Sequence, residues 1–366
     1  MTRSGPDCSR CGLITGIALL RARPASGQPA PAACRRRPYL CGMDYTHLGR
    51  SGVSVSRLCL GTMNFGWFTD AAGSHQIMDH ALEHGINFFD SSNTYGRPRA
   101  EGVSEQIIGD WLGAGAGRRD KIVLATKLYG GKGEWPNDRF LSAVNIRRAC
   151  DDSLRRLGTD HIDLYQMHHV DRDTPWDEIW EAMAVLRTQG KIIYAGSSNF
   201  AGWHIAQAQE AARRDGAFGL VSEQSLYNLA ARTVELEVLP ACQGYGLGVL
   251  PWSPLHGGLL AGILGKERGA GRSGGGRAAE ALAGMRPQVE AYEAFCAEIG
   301  EDPAQVSLAW LLHQPAVTAP IVGPSAVGQL EGALRALEIR LDEKSLGRLD
   351  EIFPGPGGAA PEAYAW

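Results

Sequence analysis

The sequence predicts a (β/α)8 barrel, an α/β fold of eight parallel strands that alternate with helices. From residue 55 onward, a short apolar or β-branched run, a polar turn and a segment of helical period follow one another repeatedly. Eight such units in roughly 280 residues are typical of this barrel. The alternative, a doubly wound open sheet, predicts a G-x-G-x-x-G fingerprint after its first strand, and "LGTMNFGWF" does not supply it.

The predicted barrel strands are short apolar runs that end in polar residues. In chain order they are "RLCLGT" (57–62), "INFFDS" (86–91), "IVLATKL" (122–128), "IDLYQMHH" (162–169), "IIYAGSS" (192–198), "LVSEQSL" (220–226), "GVLPWS" (248–253) and "TAPIVG" (318–323). Between them, segments such as "SHQIMDHALEHG" and "VNIRRACDDSLRRLG" place apolar residues on one helical face. Gly85, Gly158, Gly190 and Gly216 stand where these helices are expected to end.

Three segments depart from the repeat. "YTHLGRSGVSVS", before the first barrel strand, predicts a β-hairpin that turns at residues 50–52. Residues 256–284, rich in Gly, Arg and Ala, are predicted to form a long loop after strand seven. It suits either a flexible surface loop or a lid or phosphate clamp, and we favour the lid because strand seven ends just before it. Residues 342–353 predict an extra C-terminal helix, followed by an irregular tail.

Residues 1–42 differ from the rest of the chain. They contain seven Arg against a single acid, and four of the eight Cys. We expect this segment to be disordered or not translated in nature, with a weak signal peptide or an Arg-rich transit segment as alternatives. Regular patterning begins at Met43, so residues 43–366 are predicted to form a single domain. Cys8 and Cys11 form a CxxC pattern with Cys34 and Cys41 downstream, as in some zinc sites, but the spacing of the second pair does not favour zinc, and no metal site is predicted.

The bulk composition is that of an ordinary globular protein. The 366 residues are 44% hydrophobic and 21% charged, with a net charge of −4. That charge gives no electrostatic reason to expect nucleic acid or an anionic membrane as a partner. The remaining cysteines are isolated in apolar or helical surroundings, as expected for reduced thiols of a cytoplasmic protein; they are Cys59, Cys150, Cys242 and Cys296. The oligomeric state stays open, a homo-oligomer included.

Polar residues at the predicted strand ends are the candidate site, because barrel active sites form at the C-terminal ends of the strands. Asp90, Lys127 and His168 end strands two, three and four, and Tyr95 follows Asp90 closely. Each has an ordinary structural explanation, such as a cap, a solvated end or a core histidine. Because three consecutive strands bring the four together, we expect them to converge.

Such a group suits carbonyl reduction. A carbonyl that accepts hydride develops alkoxide charge, so a proton must reach its oxygen. Tyrosine is a weak acid with an ordinary pKa of about 10. We expect a buried ammonium, Lys127, to lower the pKa of Tyr95, and Asp90 to keep that lysine charged and in place. His168 could orient the carbonyl oxygen or relay the proton.

Six ordered motifs resemble the aldo-keto reductase superfamily over about residues 44–353: "FFDSSNTYG", "LATKLYG", "DLYQMHH", "GSSNF", "WSPLHGGLLAG" and "PIVGPSAVGQLEGAL". The resemblance implies a (β/α)8 barrel that binds a nicotinamide cofactor, usually NADPH, and a small-molecule carbonyl substrate. It implies Tyr95 as general acid/base, tuned by Lys127 and Asp90, with His168 orienting the substrate. His169 is expected on the opposite side of the strand, in a structural role.

The same resemblance implies where the cofactor binds. Ser198, Asn199 and Gln224 would hold the nicotinamide carboxamide, and Trp252 would stack on its ring. Ser253, Leu255 and Gly257 would line the pyrophosphate, with the adenosine half at the end of strand eight. The full expected set is Gly61, Thr62, Met63, Asp90, Ser198, Asn199, Gln224, Trp252, Ser253, Pro254, Leu255, Gly257, Arg277, Gly323, Ser325 and Gln329.

The adenine end departs from the family pattern. Gly332 and Ala333 replace a common Glu-Asn pair, and the basic residue often found near Ser325 is absent. Arg277 or Lys266 could supply that charge to a 2′-phosphate, so NADPH is expected in preference to NADH. The aromatic residues expected as apolar pocket walls are Trp67, Phe68, Trp135, Tyr364 and Trp366.

Three functions compete at the level of the subgroup. "TMNFG", "HHVDRDTPWDEIW" and "GSSNFAGWHIA" look like NDP-hexose 2,3-enoyl reductases of deoxysugar biosynthesis and like general aldo-keto reductases, and more distantly like β-subunits of voltage-gated potassium channels. An NADPH-dependent aldehyde or ketone reductase is the leading hypothesis. Reduction of an enone or ketone on a nucleotide-linked sugar is the alternative, and an NADPH-binding redox sensor comes third.

Overall fold

A short antiparallel hairpin precedes the barrel. In the computed structural model, which describes residues 43–96, 102–131, 133–265 and 277–360, β1 (Tyr45–His47) pairs with β2 (Ser54–Ser56). Between them the N–H of Leu48 donates to the carbonyl of Val53 over 3.0 Å. The side chains of Leu48 and Val55 are buried against the barrel interior. The predicted hairpin is therefore confirmed, and it covers one end of the barrel.

Eight parallel strands form the nearly closed barrel that the sequence predicts. They are β3 (Cys59–Gly61), β4 (Phe88–Asp90), β5 (Val123–Leu128), β6 (Ile162–Met167), β7 (Ile192–Ser198), β8 (Leu220–Leu226), β9 (Gly248–Trp252) and β10 (Ile321–Val322). Their order in the sheet is β10-β3-β4-β5-β6-β7-β8-β9. At the seam between β9 and β10, a single parallel bridge joins Val249 to Val317, and the N–H of Thr318 donates to the Val249 carbonyl over 2.9 Å.

Helices follow the strands and cover the barrel. Their bounds are α1 (Ala71–Glu83), α2 (Val103–Gly113), α3 (Ala143–Leu157), α4 (Trp176–Thr188), α5 (Gly202–Arg214), α6 (Val238–Tyr245), α7 (Arg277–Ile299), α8 (Pro303–His313), α9 (Val327–Arg335) and α10 (Glu343–Ile352). Side chains cap the starts of several; Ser142, for example, accepts from the N–H of Asn145 at the start of α3. Gly158 ends α3 at a φ of 60°, as its position in the sequence predicts.

Side-chain alternation along the strands separates two apolar layers. Phe88, Ala125 and Leu164 point into the barrel, where they pack with residues of the hairpin. Their neighbours Phe89 and Leu124 pack instead against the helices. Since inward positions recur every second residue, the next inward layer above Phe88, Ala125 and Leu164 is polar. It consists of Asp90, Lys127 and Gln166.

The long loop after β9 ends earlier than the sequence suggests. Residues 277–284, predicted as loop, begin α7. The run "AAEALA" within them consists mostly of strong helix formers, which outweighed the surrounding glycines. The helix bends at Met285 (φ −126°), two residues before Pro287. The lid hypothesis concerns the whole of residues 256–284, and its central part, residues 266–276, lies outside the described residues.

The C-terminal helix is confirmed as α10, whose first turn is capped by the Asp342 side chain accepting from the N–H of Ser345.

The expectations for residues 1–42, including their four cysteines, lie outside the described residues, as do those for Tyr364 and Trp366. Within the part of the chain that the structure describes, no helix is both long and apolar enough to cross a membrane.

Candidate active site

Four side chains meet where β4, β5 and β6 end. Asp90 is the last residue of β4, Tyr95 lies in the turn that follows, Lys127 is in β5 and His168 directly follows β6. Lys127 Nζ is 2.6 Å from Asp90 Oδ2 and 3.1 Å from Tyr95 Oη. The rings of Tyr95 and His168 meet edge to face, with their centroids 6.0 Å apart. The structure thus brings all four predicted catalytic residues together.

The Lys127 ammonium is completely buried and fully bonded. Its three N–H groups donate to Asp90 Oδ2, to the Ser91 carbonyl over 2.9 Å and to Tyr95 Oη. An ammonium has only three donors, so none is left over. Because the phenol oxygen accepts from Lys127, the phenolic proton of Tyr95 remains available for donation to another group.

Burial and charge set the protonation states of this pair. Burial opposes the charge of Lys127, but attraction to Asp90 and Tyr95 outweighs it and raises the pKa of Lys127. Burial also raises the pKa of Tyr95, and the nearby Lys127 offsets this only in part. Lys127 thus lowers the Tyr95 pKa as expected, but burial has the larger effect, so the pKa lies above its ordinary value. The phenol is protonated at neutral pH, which is the form that can donate a proton.

Two glutamines hold the other oxygen of Asp90. Gln166 Nε2 and Gln224 Nε2 donate to Asp90 Oδ1 over 2.9 and 3.0 Å. Gln166 was missed in the sequence. Its signal is a polar residue in an apolar strand, two positions after the inward-facing Leu164 and hence on the same face. A Cβ at Gly196 would lie 2.6 Å from Ser222 Oγ and 3.2 Å from the Gln166 side chain, so glycine leaves space for both side chains.

His168 is held at both its ring and its backbone. Ser92 Oγ, also missed in the sequence, lies 3.3 Å from His168 Nδ1, and the Asn199 side chain donates to the His168 carbonyl over 3.1 Å. Burial, aided by the charge of Lys127, lowers the pKa of His168 to about 2. The imidazole is therefore neutral over the whole range in which an enzyme is normally assayed.

His169 does not point away from the site. Its ring stacks on that of His168, with centroids 5.1 Å apart and planes 9° apart, and it meets Tyr129 edge to face. The expectation of an opposite orientation is wrong because β6 ends at Met167. Strand alternation does not extend beyond the strand.

The lowered pKa of His168 predicts acid sensitivity of the fold. The unfolded chain binds a proton near pH 6.5 that the folded chain takes up only near pH 2, so stability is lost as the pH falls below 6.5. Between pH 7 and pH 5, the His168→Gln variant should lose about 2 kcal/mol less unfolding free energy than the wild type. Urea denaturation of both proteins at the two pH values measures this, and parallel losses would contradict the buried, neutral imidazole.

Residues expected near a nicotinamide are linked by hydrogen bonds at the ends of β7, β8 and β9. Trp252 Nε1 donates to Asn199 Oδ1, and Asn199 Nδ2 donates to Ser198 Oγ, each over 3.0 Å. Ser198 Oγ in turn donates to the Gln224 carbonyl over 2.9 Å. An aromatic ring, two amides and a hydroxyl thus share one edge of the barrel mouth.

The turn after β9 contains the residues expected at the pyrophosphate. The N–H of Gly257 donates to Ser253 Oγ over 3.1 Å, so a ligand that uses this N–H must replace that bond. Nothing lies within 4 Å of where a Gly257 Cβ would stand, which leaves space for a ligand against the backbone. The Pro254 carbonyl accepts from Ser307, and Leu255 packs on the apolar layer outside the barrel.

Two residues near β3 are explained by packing. A Cβ at Gly61 would lie 2.6 Å from the Ile321 side chain. Thr62 is buried, with its hydroxyl donating to the Asp90 carbonyl over 3.0 Å and accepting from Ser104. Met63, the next residue, is exposed.

The adenosine-side residues form a separate corner at the end of β10. Gln329 Oε1 accepts from the N–H of Ser325 over 2.8 Å, and Asn64 donates to the Gly323 carbonyl over 2.6 Å. Lys266 and the side chain of Arg277, which begins α7, lie outside the described residues.

Of the aromatic residues expected as pocket walls, Trp67 and Phe68 stack on each other with centroids 4.1 Å apart in the segment between β3 and α1. Trp135, between β5 and α3, is 78% exposed. The three lie on segments that follow barrel strands, on the side where the candidate site opens.

Comparison with known proteins identifies the family of the chain. The sequence matches the Aldo/keto reductase family over residues 57–353, which spans the whole barrel. The chain belongs to this family. It is 53% identical over 328 residues to the uncharacterized oxidoreductase YrpG of Bacillus subtilis, covering 88% of this chain and 100% of that protein.

More distant relatives of this aldo/keto reductase differ in their names. The versiconal hemiacetal acetate reductase of Aspergillus parasiticus is 32% identical over 85% of this chain and 97% of its own length. A probable voltage-gated potassium channel subunit beta of Arabidopsis thaliana is 33% identical over 88% of this chain and all of its own length. The family match and the relatives named as oxidoreductases or reductases support a general carbonyl reductase.

The family generally uses NAD(P)H, and the residues of this aldo/keto reductase fit such a cofactor. Trp252 offers an aromatic ring beside the amide of Asn199, and the turn at Gly257 leaves open space next to the backbone. Both lie on the same side of the barrel as the Lys127–Tyr95 pair.

Proposed function

We propose that the protein is an NADPH-dependent reductase that converts an aldehyde or ketone to an alcohol, with Tyr95 as the general acid. The observation that carries this proposal is the hydrogen bond from Lys127 to Tyr95 Oη at 3.1 Å, made by an ammonium that also contacts Asp90 at 2.6 Å. It leaves the phenolic proton of Tyr95 free to be given to a carbonyl oxygen.

The protein's own groups manage the proton and the developing charge. A bound nicotinamide cofactor supplies the hydride to the carbonyl carbon. Tyr95 gives its proton to the carbonyl oxygen, and its phenolate is stabilised by the ammonium of Lys127. Asp90, held by Gln166 and Gln224, keeps Lys127 charged. His168 stays neutral and contributes a hydrogen bond to the carbonyl rather than a charge.

The proposed preference for NADPH over NADH is supported by the family resemblance and by two basic residues after β9, Lys266 and Arg277. A 2′-phosphate is a strong acceptor for such side chains. The ratio of kcat/KM values for the two cofactors tests this part of the proposal independently of the carbonyl substrate.

The test is a cofactor-consumption assay with NADPH and NADH against matched panels of aldehydes, ketones and nucleotide-linked keto sugars. We expect turnover of simple aldehydes or ketones, with a preference for NADPH. Turnover of the sugar nucleotides alone would move the assignment to deoxysugar reduction. Tight NADPH binding without turnover of any carbonyl would overturn the proposal in favour of a redox-sensing role.

A further inference from the structure

A completely buried carboxyl group lies on β8, next to Gln224 but outside the proton-transfer group. Glu223 has no exposed surface. Because successive side chains of a strand point to opposite faces, Glu223 lies behind the barrel wall while Gln224 reaches Asp90. The mechanism proposed above does not use it, and a buried carboxyl needs an explanation of its own.

Glu223 contacts the chain on both sides of Ser198 and Asn199. Its Oε2 accepts a hydrogen bond from the hydroxyl of Ser197. Its Oε1 accepts from the backbone N–H of Phe200 over 3.0 Å and from the hydroxyl of Ser225 over 2.8 Å. Strand register places Ser197 opposite Glu223 and Ser198 opposite Gln224. One carboxyl group therefore fixes the residues immediately before and after the Ser198–Asn199 pair.

That pair needs to be fixed because the chain turns sharply there. Asn199 has a φ of 60°, in the left-handed region that residues other than glycine seldom adopt. Its N–H donates to the Gln224 carbonyl over 2.9 Å. Its side chain contacts the Trp252 indole and the His168 carbonyl. Asn199, Trp252 and His168, which are all expected to contact a ligand, are thus oriented through one backbone turn.

The groups around Glu223 indicate that its carboxyl accepts hydrogen bonds and does not form an ion pair. Among the described residues, no cationic side chain forms a salt bridge with it. Burial raises the pKa of Glu223 to about 7, against the effect of its hydrogen-bond donors. The titratable group that faces it from α6 is the buried thiol of Cys242. From α5, His204 packs beyond the ring of Phe200, with centroids 6.2 Å apart.

We propose that Glu223 is a positioning residue for cofactor binding, which holds Ser198 and Asn199 in place through Ser197 and the backbone of Phe200. The inference rests on the proposed function, because it takes these two residues to contact the nicotinamide. An uncharged amide of the same shape should serve nearly as well, since its oxygen can accept from Phe200 and Ser225 while its nitrogen donates to Ser197.

The test is the dissociation constant of NADPH, measured by quenching of tryptophan fluorescence, which needs no turnover. Glu223→Ala should weaken NADPH binding about tenfold, the equivalent of losing roughly one or two hydrogen bonds. Glu223→Gln should stay within about twofold of wild type. At saturating NADPH the turnover number should change less than the KM for NADPH, because the proton-transfer group is untouched.

Ser197→Ala and Ser225→Ala form a matched pair, and they keep the test open if Glu223→Ala does not fold. Both remove a hydroxyl that donates to Glu223, but only Ser197 adjoins Ser198. We expect weaker NADPH binding for Ser197→Ala and unchanged binding for Ser225→Ala. Equal dissociation constants for Ser197→Ala and wild type, or an equal loss in both serine variants, would overturn the positioning role. Absence of NADPH binding in the wild type would instead refute the proposed function.

Discussion

Tyr95→Phe is expected to lower carbonyl turnover by about 10²–10⁴-fold, the usual contribution of a general acid. Phenylalanine keeps the ring and its packing against His168 but removes the phenolic proton beside Lys127. NADPH binding should persist, because the ring remains and the residues at the ends of β7 and β9 are unchanged. The measurement is kcat/KM for the best aldehyde of the panel, with the NADPH dissociation constant determined alongside.

Tyr45→Phe is the matched control for Tyr95→Phe. It also removes a phenolic hydroxyl, one that donates to the Gly85 carbonyl over 2.8 Å at the hairpin. Its turnover should equal that of the wild type, with a loss of about 1 kcal/mol in unfolding free energy. Wild-type turnover in Tyr95→Phe would remove Tyr95 from the role of acid.

Lys127→Met is expected to lower the free energy of unfolding by about 3–5 kcal/mol, in addition to abolishing turnover. The ammonium is completely buried and Asp90 is 2% exposed, so the variant leaves a buried carboxylate whose remaining side-chain donors, among the described residues, are Gln166 and Gln224. Urea denaturation at pH 7 measures the loss. Replacing both partners, as Asp90→Asn with Lys127→Met, should recover much of the stability and none of the activity.

Lys191→Met is the matched control for Lys127→Met, because it removes a lysine whose ion pair lies at the surface. Lys191 contacts Asp151 at 2.7 Å, but the two side chains are 32% and 48% exposed. Such surface pairs contribute about 0–1 kcal/mol. Equal losses of unfolding free energy in the two methionine variants would contradict the account of the buried pair.

The barrel and its four central residues could be predicted because both depend on regular patterns. Apolar runs with polar ends locate the strands, and the C-terminal ends of parallel strands meet at one face, so Asp90, Lys127 and His168 had to lie close together. The same inward alternation that places Asp90 and Lys127 also places Gln166. Gln166 could therefore have been found by carrying the alternation one strand further.

Other features depend on tertiary structure that a sequence does not display. The direction of the Tyr95 pKa depends on how completely the phenol is buried, and burial outweighs the neighbouring ammonium. The orientation of His169 depends on where β6 ends, one residue before His168. The sequence around Glu223 does not indicate a role for its carboxyl group. That role follows from its hydrogen bonds to Ser197 and Phe200, on either side of the turn at Asn199.

The seam between β9 and β10 links the stability of the barrel to the binding of a dinucleotide. A barrel closed by one bridge at Val249 and Val317 has its weakest lateral attachment there. The expected pyrophosphate turn follows β9, and the adenosine corner follows β10, so a dinucleotide bound to both would span the seam from outside. Its binding would then link the two edge strands and suppress local opening of the barrel. The protein with bound dinucleotide would therefore resist heat and proteases better than the protein without it.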